Sequence, residues 1–101
     1  GGPRGGRMFG VALSELDASL REEFQIEPNV QGLVVLGVDV GGENENVLRP
    51  GDVIEAIGPQ ELESMAAARA IAGRAQIGEH AVIVRINRDG AVTYRRLLAR
   101  S

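Results

Sequence analysis

Cysteine is absent from the 101 residues, and so are lysine and tryptophan. Without cysteine the chain can build no disulfide and no thiolate metal site, although that absence assigns no compartment. Aromatic residues number three, two Phe and one Tyr, and the formal charge is −3. Both features argue against nucleic acid, which asks for a basic face and stacking rings. No stretch nears the roughly 18 consecutive apolar residues of a membrane span, so no direct membrane insertion is expected. The opening Gly1-Gly2-Pro3-Arg4-Gly5-Gly6 carries no apolar segment of the kind a secretion signal needs. Histidine occurs once, as His80. Nucleophilic catalysis needs a base beside its nucleophile, and Ser14, Ser19, Ser64 and Ser101 sit in no Gly-x-Ser-x-Gly elbow. His80 therefore reads as a partly exposed residue at the start of a strand. Any metal site would rest on carboxylates. Glu43-Asn44-Glu45-Asn46 lacks the glycine and distant Glu of a calcium loop and reads as a solvated loop. No cofactor is expected.

What is present describes one compact domain. Hydrophobic residues make up 44%, charged residues 25%, and glycines number 14, a globular composition rich in turns. Residues 1–6 read as a linker or the edge of the domain, and residues 7–101 as the domain itself. Charge is unevenly spread: residues 1–63 hold 12 acids against 4 arginines, and residues 64–101 hold 2 acids against 7 arginines. Every basic residue is arginine, whose planar fork suits carboxylates. Codon usage is the plainer explanation.

In chain order, Met8-Phe9-Gly10 precedes a short apolar strand from Val11. Leu16, Leu20 and Phe24 recur at helical spacing, with Ser14 or Asp17 as the cap and Pro28 beyond the end. Leu33-Val34-Val35-Leu36-Gly37-Val38-Asp39-Val40 is a β-branched run expected to be a central strand buried on both faces. Leu48-Arg49-Pro50-Gly51-Asp52-Val53-Ile54 joins a defined turn to a strand through Ile57. Pro50 presets φ, Gly51 can take positive φ, and Asp52 can bond its own backbone. Gly58-Pro59 turns the chain. Ser64 caps a helix from Met65 whose five alanines favour it, with Gly73 or Gly78 as its end. Ala81–Ile86 and Val92–Leu98 read as two strands joined through Asp89-Gly90, a strong hairpin signal.

These segments resemble a PDZ domain in the bacterial, circularly permuted arrangement found in the HtrA (Do-like) serine proteases. Met8-Phe9-Gly10-Val11 is similar to the family's carboxylate-binding loop. Gln31-Gly32-Leu33-Val34-Val35 is similar to its Gly-led strand, and Leu48–Ile54 to its motif of Leu, Arg or Lys, Pro or Ala, then Gly-Asp-Val-Ile. The helix, Gly turn and strand from Leu62 onward match in length and order. The resemblance covers about residues 7–99. It departs in the Gly58-Pro59 turn, in the acidic loop before Leu48 and in the alanine-rich helix.

The resemblance implies an α+β fold: a partly open β-barrel or sandwich of five to six short strands capped by two helices. It implies no catalysis in this domain, and a serine endopeptidase as the parent. It implies an extended peptide adding to the exposed edge of Val11-Ala12-Leu13, its terminal carboxylate on the loop Met8, Phe9, Gly10 and Val11, with Arg7 adding charge. The opposite wall would be the helix face of Met65, Ala68, Arg69 and Ala72. Alanines there would leave room for a large apolar terminal residue, and Arg69 would favour an acid further upstream. The implied partners are peptide or unfolded-protein segments and the protease domain and other subunits of a periplasmic parent oligomer. A structural or assembly domain with an occluded groove, and a PDZ domain of another bacterial envelope protein, are the alternatives.

Overall fold

The computed structural model describes residues 5–42, 44–78 and 81–98. His80 and Glu43, weighed above, lie outside them, as does the opening Gly1-Gly2-Pro3-Arg4. The elements run β1 (Gly5–Met8), β2 (Val11–Glu15), α1 (Ala18–Phe24), β3 (Leu33–Val38), β4 (Val53–Ile57), β5 (Gln60–Glu61), α2 (Met65–Gly78), β6 (Ala81–Arg88) and β7 (Ala91–Leu98). The strands form one antiparallel sheet in the order β1-β2-β3-β4-β6-β7, with β5 paired to β4. The sheet is open, carries two helices, and has the α+β architecture expected.

The turn before β4 forms as its residues dictate. Gly51 takes φ 96° after Pro50, the arrangement a type II turn needs. The Asp52 carboxylate accepts the Arg49 N–H at 2.9 Å. Val35 then stitches the turn to β3: its N–H donates to the Asp52 carbonyl at 2.7 Å, and its carbonyl accepts the Gly51 N–H at 2.8 Å. Gly32 must stay glycine for a different reason. A Cβ there would lie 2.3 Å from the Ile54 carbonyl oxygen, with φ at +149°. The two backbones meet without room for a side chain.

Two apolar clusters flank the sheet. The larger joins residues of β2, β3, β4 and β6 to Met65, Ala68, Ile71 and Ala72 of α2. The smaller centres on Val30, Val34 and Val53, with Leu16, Leu20, Phe24 and Ile26 of the α1 region against it. Asp17 caps α1 by accepting the Leu20 N–H at 2.8 Å, and Gln25 ends it in the left-handed region. Ser64 caps α2 by accepting the Ala67 N–H at 3.1 Å.

Three expectations are corrected. Gly5 and Gly6, read as linker, pair with Ser14 and Leu13 in β1. They form a strand because the sheet edge supplies partners and because no side chain stands in the way. In β3 only Leu33, Val34 and Val35 are buried; Leu36 is 41% exposed, at the point where the register with β2 shifts from Val35–Leu13 to Gly37–Ala12 and leaves Leu36 without a partner. Asn44, read as part of a solvated loop, is buried. Its Nδ2 donates to the Phe9 carbonyl at 2.8 Å and the Leu98 carbonyl at 3.1 Å, and its Oδ1 accepts the Leu98 N–H at 2.9 Å. It ties the end of β7 to the turn between β1 and β2, so three hydrogen bonds offset its burial.

Candidate peptide groove

The residues expected to form a site meet at one edge of the sheet. Met8, Val11, Leu13, Met65, Ala68 and Ala72 are all buried in the same cluster. Phe9 joins them at 2% exposed. Arg69 stays on the exposed side of α2. The helix face therefore divides: Met65, Ala68 and Ala72 pack inward, and Arg69 alone presents its charged end to the groove rim. Glu15, unremarked in the sequence, joins the two walls. Its carboxylate accepts the Met65 N–H at 2.9 Å, placing an anion at the N-terminus of α2, where the helix dipole favours one. The two residues are 50 positions apart, so no local pattern could reveal the contact.

The expected open edge differs from the observed one. Val11, Ala12 and Leu13 are paired on both sides. Toward the sheet interior β2 meets β3, with Val11 opposite Val38. On the outer side β1 runs antiparallel to it, with Gly6 opposite Leu13, Arg7 opposite Ala12 and Met8 opposite Val11. The loop expected to be a carboxylate cradle is folded as a two-residue turn, Phe9-Gly10, with φ 55° and 75°. Two successive positive φ values define the type I′ hairpin turn, whose twist matches its strands. Gly10 accepts them without strain; Phe9 takes an unfavourable conformation and offsets it by burying its ring.

β1 lies between β2 and α2. A Cβ on Gly6 would stand 2.9 Å from Met65 Cε and 3.1 Å from Arg69 Nη2. Arg69 Nη2 donates to the Gly5 carbonyl at 3.1 Å. Arg7 points outward and pairs with Asp39, whose hydrogen bond and charge hold the guanidinium above its ordinary range. Arg7 thus has a carboxylate partner of its own within the chain.

Elsewhere the charges do structural work. Arg88 grips the buried Asp52 with two bonds, at 2.9 and 2.7 Å, and a third reaches the Val47 carbonyl at 3.1 Å. The Asp52 carboxylate holds Arg88 above its ordinary range. Glu61 and Glu55 do the same for Arg85. A cavity of about 530 Å³ opens beside this clamp, between the end of α1, the 49–52 turn and the Asp89-Gly90 turn. It is remote from the groove, and Arg88 there is already neutralised by Asp52.

Comparison with known proteins agrees with this geometry. No protein-family model matches the chain, and no curated protein matches it in sequence. Among solved structures, the HtrA-type protease AlgW, determined with a decapeptide, is 26% identical with a TM-score of 0.75. The match covers 94% of this chain and 28% of that one. The HtrA3 PDZ domain bound to a phage-derived ligand is 18% identical with a TM-score of 0.69, covering 96% of this chain and 88% of that one. The open antiparallel sheet with its two helices is a PDZ-like α+β fold. The HtrA-type protease AlgW and the HtrA3 PDZ domain share that fold. The chain spans little more than a quarter of the AlgW chain.

Proposed function

We propose that this domain binds extended peptide segments by strand addition along β2, and that it does so within a multidomain, periplasmic HtrA-like serine protease. The observation that carries the reading is the position of β1. An extended segment runs antiparallel to β2 and beside α2, which is the path an added peptide strand requires. The ligands are C-termini or extended hydrophobic segments of unfolded proteins, delivered to the protease domain or used to change its activity or assembly with other subunits. An apolar last residue would pack against Val11, Leu13 and Ala68, in the place Met8 now occupies. Its carboxylate would bond backbone N–H groups of Phe9, Gly10 and Val11 once the turn there opens. Arg69 has no carboxylate partner among the described residues, which supports a preference for an acid upstream in the ligand.

Calorimetric titration with a short apolar-ended peptide tests this, run once as free acid and once as C-terminal amide. Saturable micromolar binding of the acid, or about −8 kcal/mol, with weaker binding of the amide, is the expected result. Failure of a varied peptide panel to bind would overturn it.

One observation favours a second reading. Because β1 already covers the outer edge of β2, the domain could serve assembly with its groove closed. A PDZ domain of another bacterial envelope protein would share the same groove.

A further inference from the structure

The groove reading leaves β1 itself unexplained. It is a poor strand by composition. Gly5 and Gly6 bring no side chains, and glycine loses the most backbone freedom on ordering. Arg7 is exposed, and its pairing with Asp39 lies at the surface, where such pairs are weak. Only Met8 is buried. The turn that returns the chain to β2 places Phe9 at φ 55°, a conformation L-residues avoid. Yet the segment sits in register along the whole receiving strand, and its outer carbonyl, that of Gly5, is bonded by Arg69.

Hairpin geometry gives the bonding pattern. Met8 and Val11 close the two-residue turn as a hydrogen-bonded pair. Alternation then makes Gly6 and Leu13 the next such pair, and Gly5 and Ser14 a non-bonded one. The Gly5 carbonyl accordingly faces Arg69, away from β2. So the outward backbone groups of Val11 and Leu13, the ones an added peptide would use, are taken by Met8 and Gly6.

We propose that Gly5–Met8 is a displaceable self-ligand: a strap bound in the peptide groove that an incoming strand must replace. The proposal rests on the strand-addition reading above. It decides between an open and a permanently closed groove, because a strap held mainly by backbone pairing can be exchanged for another strand of the same pattern. Apparent affinity for peptide is then reduced by the fraction of molecules with the strap in place. Arg69 passes from the Gly5 carbonyl to the ligand, and Arg7 leaves Asp39.

Two variants move the strap in opposite directions. A Cβ on Gly5 would lie 3.9 Å from the Ser14 Cβ, close to the spacing of a disulfide. The chain has no other cysteine, so Gly5→Cys with Ser14→Cys can lock the strap on oxidation. Gly6→Pro removes the N–H that pairs with Leu13 and weakens the strap. Titration of each with an apolar-ended free-acid peptide should show no binding by the oxidised double variant and recovery on reduction. Gly6→Pro should bind about tenfold or more tighter than the unaltered chain. Equal affinity of the oxidised and reduced forms, or no gain in Gly6→Pro, overturns the strap and leaves peptide binding standing. Absence of binding in every form overturns peptide binding and the strap with it. Amide hydrogen exchange needs no peptide. The Gly6 and Leu13 amides should exchange far faster than that of Ile54, through local opening. Exchange as slow as Ile54 would mean the strap opens only on global unfolding, which also overturns the proposal.

Discussion

The inner strands β3, β4 and β6 and the outer strand β1 belong to one sheet, yet they are held by different means. Leu33, Val34, Val35, Ile54, Val84 and Ile86 are wholly excluded from solvent, and a buried ion pair, Asp52 with Arg88, ties β6 to the turn ahead of β4. β1 offers two glycines, one exposed arginine and one buried methionine. Buried side chains fix the inner strands in place; backbone pairing holds the outer one. A position held by backbone alone is one that many sequences can fill, and that is the property a peptide groove needs.

Substitutions should separate the two regions by size of effect. Gly32→Ala should cost most, about 4 kcal/mol, because its Cβ would strike the Ile54 backbone in a core that cannot yield. Chemical denaturation would read this as a large fall in midpoint. Asp52→Asn comes next, at about 2–3 kcal/mol, since it leaves Arg88 without its counter-charge and partly buried; the same melt should show it. Gly10→Ala should cost about 1 kcal/mol by placing a Cβ at φ 75°, a smaller fall in the same melt. Arg7→Gln should leave the melting temperature unchanged within error. Raising salt to 1 M shortens the Debye length to about 3 Å, and should release Arg7 from Asp39 while leaving the Asp52–Arg88 clamp in place. Side-chain NMR of the two arginines would read that contrast directly. Equal salt sensitivity of the two pairs would break it.

The same division explains what could be read in advance. The 48–54 turn was legible because Pro50, Gly51 and Asp52 each have a narrow conformational use, and all three are used as expected. The helix from Met65 was legible from its alanines and its serine cap. Which of its faces turns inward was not legible: the four residues expected along one wall divide into Met65, Ala68 and Ala72 in the core and Arg69 at the exposed rim. β1 was illegible. Gly-Gly-Arg has no periodicity and no strand propensity, and it becomes a strand only because β2 lends it partners. Asn44 and Glu15 were hidden for a related reason: their partners lie 54 and 35 residues away, and 50 residues away, respectively. Polar residues in a turn-rich loop read as solvated when their receptors are distant in sequence. The short β5 carries no signal of its own and follows from the Gly58-Pro59 turn.

The central claim is that an extended segment binds between β2 and α2. The most direct measurement is a residue-resolved NMR titration of the domain with an apolar-ended free-acid peptide. The account predicts shifts at residues 5–13, at the 65–72 face of α2 and at Asp39 and Asn44, which contact Arg7 and the Phe9-Gly10 turn, with the Gly5–Arg7 signals moving toward those of a free segment as peptide is added. Shifts centred instead on the other edge of the sheet, Ala91–Leu98, with residues 5–13 unchanged, would contradict it.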